Sequence, residues 1–291
     1  MNPKPQQLAL EMAPQSSVCR LREIVVKSVI TPSRLTDYCL NPYAGCEHGC
    51  VYCYARFASR FSHPNDKWGS FVDVRVNVPL LVQKEAPRKR PGRVFVSSVS
   101  DAWQPVEEKY GLTRQCLEVL LRYNYPLLLH TKSALVQRDF DLIRSHPEVE
   151  FGMTITTVEP RVAALFEPKA SPPQDRIGVL NRARDMGIRT FVFLGPLLPY
   201  ISDRGEGLTD LLEMVGKVNP ESFLVDCLNP RYGIWPSLSA ALAEYRPALI
   251  PAYRKILYDR VARQQYIFEL RQRISEQARQ HGLIHKMQLC L

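Results

Sequence analysis

The stretch Asn41-Pro42-Tyr43-Ala44-Gly45-Cys46-Glu47-His48-Gly49-Cys50-Val51-Tyr52-Cys53-Tyr54-Ala55-Arg56 holds three thiols at CxxxCxxC spacing. Thiols so spaced in one loop can converge on a single metal centre. Gly45 and Gly49 allow backbone conformations closed to other residues. A helix is expected to begin after Cys50, and its N-terminus would lower the pKa of the thiols. Cys53 would then lie one turn beyond Cys50, on the same face. Three ligands leave one coordination position open, which marks a site made to bind something. A four-iron cluster on three thiolates has one iron free for a small molecule. Zinc is the alternative, with His48 as fourth ligand in Cys-x-His-x-Cys. Its weakness is strain, because His48 shares the tight loop with both neighbouring thiols.

Outward from this loop the chain alternates strand-like and helical patterns. A short strand is expected over Glu23 to Ile30, and another leads into Asn41. Apolar strand-like runs follow at Arg93 to Ser98, Pro126 to His130, Val149 to Thr156, Ile188 to Leu194 and Phe223 to Leu228. Gly195-Pro196 is expected to stop the fourth of these. Helical spacing marks Leu112 to Arg122, Leu135 to Ile143, Asp175 to Met186 and Gly207 to Val218. Buried continuous strands separated by helices mean a parallel sheet with right-handed crossovers. Six such units span about 190 residues, fewer than the eight of a full barrel. Both a partial, open barrel and an open doubly wound sheet are consistent with that pattern. Ser237 to Gly282 reads as a long helical region broken near Pro247 and Pro251.

Composition narrows the function classes. There are 38 Lys and Arg against 29 Asp and Glu, a net charge of +9, which favours anionic partners such as nucleic acid. From Asn229 to Leu291 ten basic residues face four acidic ones, so +6 of that excess lies there. A solvated helix face accounts for it better than a nucleic-acid or partner surface, which is the sharper reading. No apolar run reaches the length of a membrane span, and no membrane partner is expected. Met1 to Gln7 is polar, with no secretory h-region. A cytoplasmic, reducing location is therefore expected, where the eight cysteines read as metal or redox residues. The basic run Arg88-Lys89-Arg90 with Arg93 precedes a strand and reads as a solvated loop. The histidines at 63, 130, 146, 281 and 285 show no ligand spacing.

CxxxCxxC followed by an aromatic residue resembles the radical S-adenosylmethionine (SAM) superfamily. The match extends through Asn41-Pro42-Tyr43, Tyr52-Cys53-Tyr54-Ala55-Arg56, Gln104-Pro105-Val106-Glu107, Thr131-Lys132-Ser133 and Glu167-Pro168. These resemble the spore photoproduct lyase-related, DNA repair photolyase-like branch, from about Thr31 to Pro199. The resemblance implies an α/β fold, a partial (βα)6 radical SAM barrel, over residues 31–230. Residues 1–30 would form an N-terminal extension, and 231–291 a helical C-terminal region packing on the barrel. It implies a [4Fe-4S] cluster on Cys46, Cys50 and Cys53, and S-adenosyl-L-methionine cleaved reductively to a 5′-deoxyadenosyl radical that abstracts hydrogen. An electron donor of flavodoxin or ferredoxin type is then expected. Nucleic acid or a nucleotide is the favoured substrate, with a peptide or a modified tRNA base left open. The rival from another class is a zinc-binding, nucleic-acid-associated module without catalysis.

Polar residues follow several apolar runs, where a barrel places its site. By resemblance Ser100 and Lys132 contact the methionine end of SAM, and an ammonium suits its carboxylate. Thr154, Tyr54 and Gly195 match positions near the cofactor. Tyr52 and Tyr54 resemble relay tyrosines. Ser98 stands where the lyases carry a hydrogen-donating cysteine, and an O–H bond is too strong to replace a thiol. Cys227, near a strand's end, is the better substitute, since Cys116 falls on an apolar helix face. A strict spore photoproduct lyase is therefore not expected.

Overall fold

Short apolar runs become buried strands, and their order along the chain sets the architecture. The structure is a computed structural model that describes residues 19–231 and 233–291. The polar lead Met1 to Gln7 lies outside the described residues. The strands are β1 (Arg20–Ile24), β2 (Thr31–Pro32), β3 (Tyr38–Leu40), β4 (Tyr43–Ala44), β5 (Phe71–Arg75) and β6 (Val94–Val96). They continue with β7 (Leu127–Thr131), β8 (Val149–Thr154), β9 (Arg189–Leu197), β10 (Ser222–Cys227) and β11 (Met287–Leu289). The main sheet has the order β11-β10-β9-β8-β7-β6-β3-β2. Within it β3, β6, β7, β8, β9 and β10 are successive parallel neighbours. Each crossover moves one strand along, as in a barrel, and six such strands make the expected partial (βα)6 barrel.

The core follows from these runs. Val94, Val96, Leu127, Leu129, Phe151, Val192 and Val225 are fully buried. Helix Leu112–Arg122 forms where its spacing predicts and buries Leu112, Cys116, Leu117 and Leu120. Pro173–Asp185 and Gly205–Val218 also match the expected helices. Over 135–143 the chain instead makes a 3₁₀ turn, Ala134–Asp139, then one turn of helix, Phe140–Ile143.

Three expectations fail for physical reasons. The first strand is Arg20–Ile24, not Glu23 to Ile30. It is held by a polar partner, with Arg22 donating two 2.8 Å hydrogen bonds to Asp73 on β5. Val29 and Ile30 are buried, but the Glu85 carboxylate accepts their N–H groups at 3.0 and 3.1 Å in place of a ladder. Gly195-Pro196 does not stop β9, which runs through to Leu197. Pro196 has no N–H, and β10 absorbs this by a register shift between Val225 and Cys227. Third, the C-terminal stretch is not wholly helical. After helices Trp235–Tyr245, Ile250–Tyr258 and Arg260–Gln280, β11 joins the sheet parallel to β10. A three-residue strand carries too little periodicity to be read in sequence.

Ile256, Tyr266, Leu270, Ile274 and Ala278 of these helices join the same buried core as the sheet. A small second sheet, β1-β5-β4, backs the cysteine loop. No helix among the described residues is long and apolar enough to cross a membrane.

Candidate active site

The cysteine loop leaves β4 through Gly45, at φ +85°, where a Cβ would come within 2.5 Å of the Phe71 carbonyl oxygen. Gly69 lies so close that its own Cβ would stand 2.7 Å from the Cα of Gly49. Only glycine at these points lets the loop pack on the β5 side. Two turns fold it, with Gly49 N–H donating to Cys46 O (3.3 Å) and Cys53 N–H to Cys50 O (3.1 Å). Cys46, Cys50 and Cys53 then line one cavity of about 1200 Å³.

The helix expected after Cys50 does not form, since the helical turn begins only at Arg56 (Arg56–Ser59). Arg56 itself explains this, because its guanidinium donates to Cys50 O (3.1 Å) and Val51 O (3.0 Å) and so ties up carbonyls a helix would need. Without a helix terminus, burial dominates and pushes Cys50 up to about 12. It also raises Cys46 well above the usual thiol range, and raises Cys53. Lys132 pulls Cys50 and Cys53 the other way. Thiols lining one cavity, two buried and Cys53 half-buried, are a donor set that metal binding would convert to thiolates.

His48 does not complete a zinc tetrahedron. Its Nδ1 faces the Asp101 carboxylate at 3.4 Å, and the ring is buried. Asp101 also accepts the Thr131 hydroxyl (2.6 Å) and the N–H groups of Lys132 (2.9 Å) and Trp103 (2.9 Å). Burial works against its charge, but His48 and these donors outweigh it and keep the carboxyl below its ordinary value. Burial lowers His48. Among the described residues no three His, Cys, Asp or Glu side chains close on a single ion.

Strand ends supply polar groups to the same cavity. Lys132 follows β7 with its ammonium 5.8 Å over the Tyr52 ring, and no carboxylate among the described residues lies within ion-pair distance. Burial disfavours its charge, yet Cys50 and Glu167 outweigh this and hold its pKa above normal. Ser100 lines the cavity and donates to Tyr43 O at 3.2 Å. Thr154 is engaged with His130 Nε2 at 2.7 Å, and burial takes His130 down to about 3, so the ring is neutral. Gly195 lines the wall, where a Cβ would run into the Phe193 ring. Three thiols and an unpaired ammonium lining one cavity fit a cluster with an open iron and a carboxylate-bearing ligand.

A buried ion pair supports the loop from behind. Glu167 and Arg176 meet at 2.5 Å with side chains 1% exposed. Glu167 accepts the hydroxyls of Tyr52 and, at 2.9 Å, Thr156. Val51 N–H donates to Phe166 O at 2.9 Å. The Tyr52 hydroxyl is thus buried in this network, whereas Tyr54 is 42% exposed and donates to Ser98 O at 2.9 Å. Sequence reading caught Glu167 only within a motif and missed Arg176, because an arginine on a surface-patterned helix gives no sign that it turns inward.

Cys227 lines the far wall at the end of β10, its sulfur 3.6 Å from the Arg263 guanidinium. Arg93, read as part of a solvated basic run, instead pairs with Glu150 and lines the cavity's other end. Beside Cys227, burial pushes Asp226 up to about 6. A carboxyl raised on folding weakens the fold above its unfolded pKa, increasingly until pH passes its folded value. Asp226→Asn is therefore expected to raise stability by about 1–3 kcal/mol at pH 7.5, with the gain vanishing below pH ~4. Thermal melts across that range check it; a gain that is the same at both ends would contradict it.

Comparison with known proteins agrees with this geometry. Residues 40–212 match the family model described as the Radical SAM superfamily. The uncharacterized protein MJ0683 of Methanocaldococcus jannaschii is 33% identical over 207 residues, covering 70% of this chain and 75% of that protein. A protein of Pseudomonas phage M6 named Radical SAM Nalpha-GlyT isomerase is 24% identical, over 68% of this chain and 41% of its own. Spore photoproduct lyase, solved with AdoMet and dinucleoside spore photoproduct, superposes with a TM-score of 0.69. That match covers 92% of this chain and 81% of the lyase at 17% identity, a likeness of fold. The zinc-binding, non-enzymatic alternative falls with His48 turned to Asp101 and the family match in place. The chain belongs to the Radical SAM superfamily, whose enzymes work with a [4Fe-4S] cluster and S-adenosylmethionine.

Proposed function

We propose that Cys46, Cys50 and Cys53 hold the cluster, and that the chain cleaves SAM reductively to abstract hydrogen from a nucleic acid or nucleotide. The observation that carries this reading is the half-buried, unpaired Lys132 ammonium lining the same cavity as the three thiols. When bound, the cluster supplies the electron that splits the sulfonium carbon–sulfur bond. Lys132 and Ser100 receive the methionine carboxylate and amino groups, while Thr154, Tyr54 and Gly195 shape the rest of the SAM site. Tyr54, with Cys227 across the cavity and Tyr52 behind it, is the proposed route for returning hydrogen, since Ser98 cannot.

An aromatic and basic rim favours the nucleic-acid substrate. Tyr54 stacks on Phe57 at 6.4 Å, and Arg231 lies 5.9 Å over the Phe57 ring. Alternating rings and guanidinium groups suit an unstacked base and its phosphates. An electron donor of flavodoxin or ferredoxin type completes the scheme, and a cytoplasmic setting is in keeping with eight free cysteines.

The test is anaerobic incubation of the iron-loaded protein with SAM and dithionite, expected to yield 5′-deoxyadenosine and methionine. Lys132→Met is expected to weaken SAM binding about 10- to 100-fold, the worth of one charge-assisted hydrogen bond. In D₂O without substrate, the product should carry deuterium from the exchanged Cys227 thiol, and Cys227→Ala should lower that fraction. No 5′-deoxyadenosine sinks the reading; unchanged affinity or deuterium content removes Lys132 or Cys227 from it.

A further inference from the structure

We propose that the indole N–H of Trp68 donates a hydrogen bond to a sulfur of the iron–sulfur cluster and thereby raises its reduction potential. This rests on the assignment of that cluster to Cys46, Cys50 and Cys53. Trp68 is 7% exposed and packs in one small apolar group with Cys46, Ala55, Phe71, Cys53 and Val99. It lines the same cavity as the three thiols. Its Nε1 is buried and has no hydrogen-bond partner among the described residues. A buried indole N–H ordinarily finds an acceptor. Trp103, which is fully buried, obeys that rule and donates to Asp139 at 2.7 Å. For Trp68 the sulfur-lined side of the cavity supplies the acceptor once it is filled.

The ring is fixed in place by a chain of stacked rings and ion pairs. Phe71 meets Trp68 edge to face, with centroids 6.1 Å apart at 82°. His63 stacks on the far side of Phe71 at 3.8 Å and 14°. The two ring nitrogens of His63 are held by Asp66 (2.7 Å) and Asp73 (3.0 Å). Those carboxylates are anchored in turn by Arg20 at 2.5 Å and Arg22 at 2.8 Å. From the next residue, Gly69 backs directly onto Gly49 of the cysteine loop. The indole is therefore positioned before any cofactor arrives. An N–H dipole aimed at a cluster sulfur favours the more negative, reduced state, and hydrogen bonds to sulfur are a recognised control of cluster potential.

Trp68→Phe keeps an aromatic ring and removes the donor. At equal iron content, its cluster is expected to reduce at a more negative potential than the wild type, read by EPR-monitored redox titration. A second measurement needs no variant: protein labelled with [indole-¹⁵N]tryptophan is reduced, and HYSCORE is expected to show a ¹⁵N coupling to the cluster. An unchanged potential, or no ¹⁵N coupling, overturns the proposal. So does an unchanged potential with weakened SAM binding, which would give the N–H to SAM instead. A wild-type protein that takes up no iron overturns the cluster assignment itself and is read separately, from iron content.

Discussion

Protein carrying Cys46→Ala, Cys50→Ala and Cys53→Ala together is expected to purify colourless under anaerobic conditions and to make no 5′-deoxyadenosine. The wild type should be brown, with iron–sulfur absorbance near about 400 nm. The expected loss is complete, because no neighbouring group can replace three thiolates. His48 is committed to Asp101, and Cys116 is fully buried in the core of the barrel. Folding should survive, since the loop is also fixed by Gly45 against Phe71, Gly49 against Gly69 and the Val51 N–H on Phe166 O. Iron analysis, absorbance and far-ultraviolet circular dichroism on the two proteins check this. A triple variant that keeps its iron, or a wild type that holds one zinc and no iron, would contradict it.

The second large effect is on stability. Glu167→Ala is expected to cost about 3–5 kcal/mol, the penalty of leaving one member of a buried pair without its partner. Arg176 would keep a buried guanidinium, and the Tyr52 and Thr156 hydroxyls would lose their acceptor. For a chain of this size the melting temperature should fall by roughly 6–15 °C. Exchanging both charges, as Glu167→Leu with Arg176→Met, should recover much of the loss, because two apolar side chains need no partner. Because Tyr52 lies between Cys50 and Cys53, the single variant should also load less iron. Thermal melts of the single and double variants separate the cases. A single variant as stable as the wild type would show the pair to be dispensable.

Much of this architecture was legible because burial writes itself into short apolar runs. Leu127 and Leu129 on β7 and Val149, Phe151 and Met153 on β8 are apolar because that face of the sheet is buried, and helix Leu112–Arg122 carries a clear period. The cysteine loop was legible for a different reason, since thiol spacing reports chemistry directly. What sequence did not show was pairing between distant polar residues. Arg22 with Asp73, Glu85 with the Val29 and Ile30 amides, and Arg176 with Glu167 each set local structure without any periodic signal. The expected helix at Cys50 failed in the same way, because Arg56 takes the carbonyls that helical amides would have used.

Strand β11 reaches the sheet only after three helices have crossed the barrel's flank. It covers the free edge of β10, and its Gln288, with Cys290 just beyond, forms part of the cavity wall. The region from 231 onward is therefore stitched in at both ends and cannot peel away as a detachable module. Any excision that removed Met287–Leu289 would leave the β10 backbone with a row of unsatisfied amides and carbonyls, an adhesive border that invites the same border of another copy.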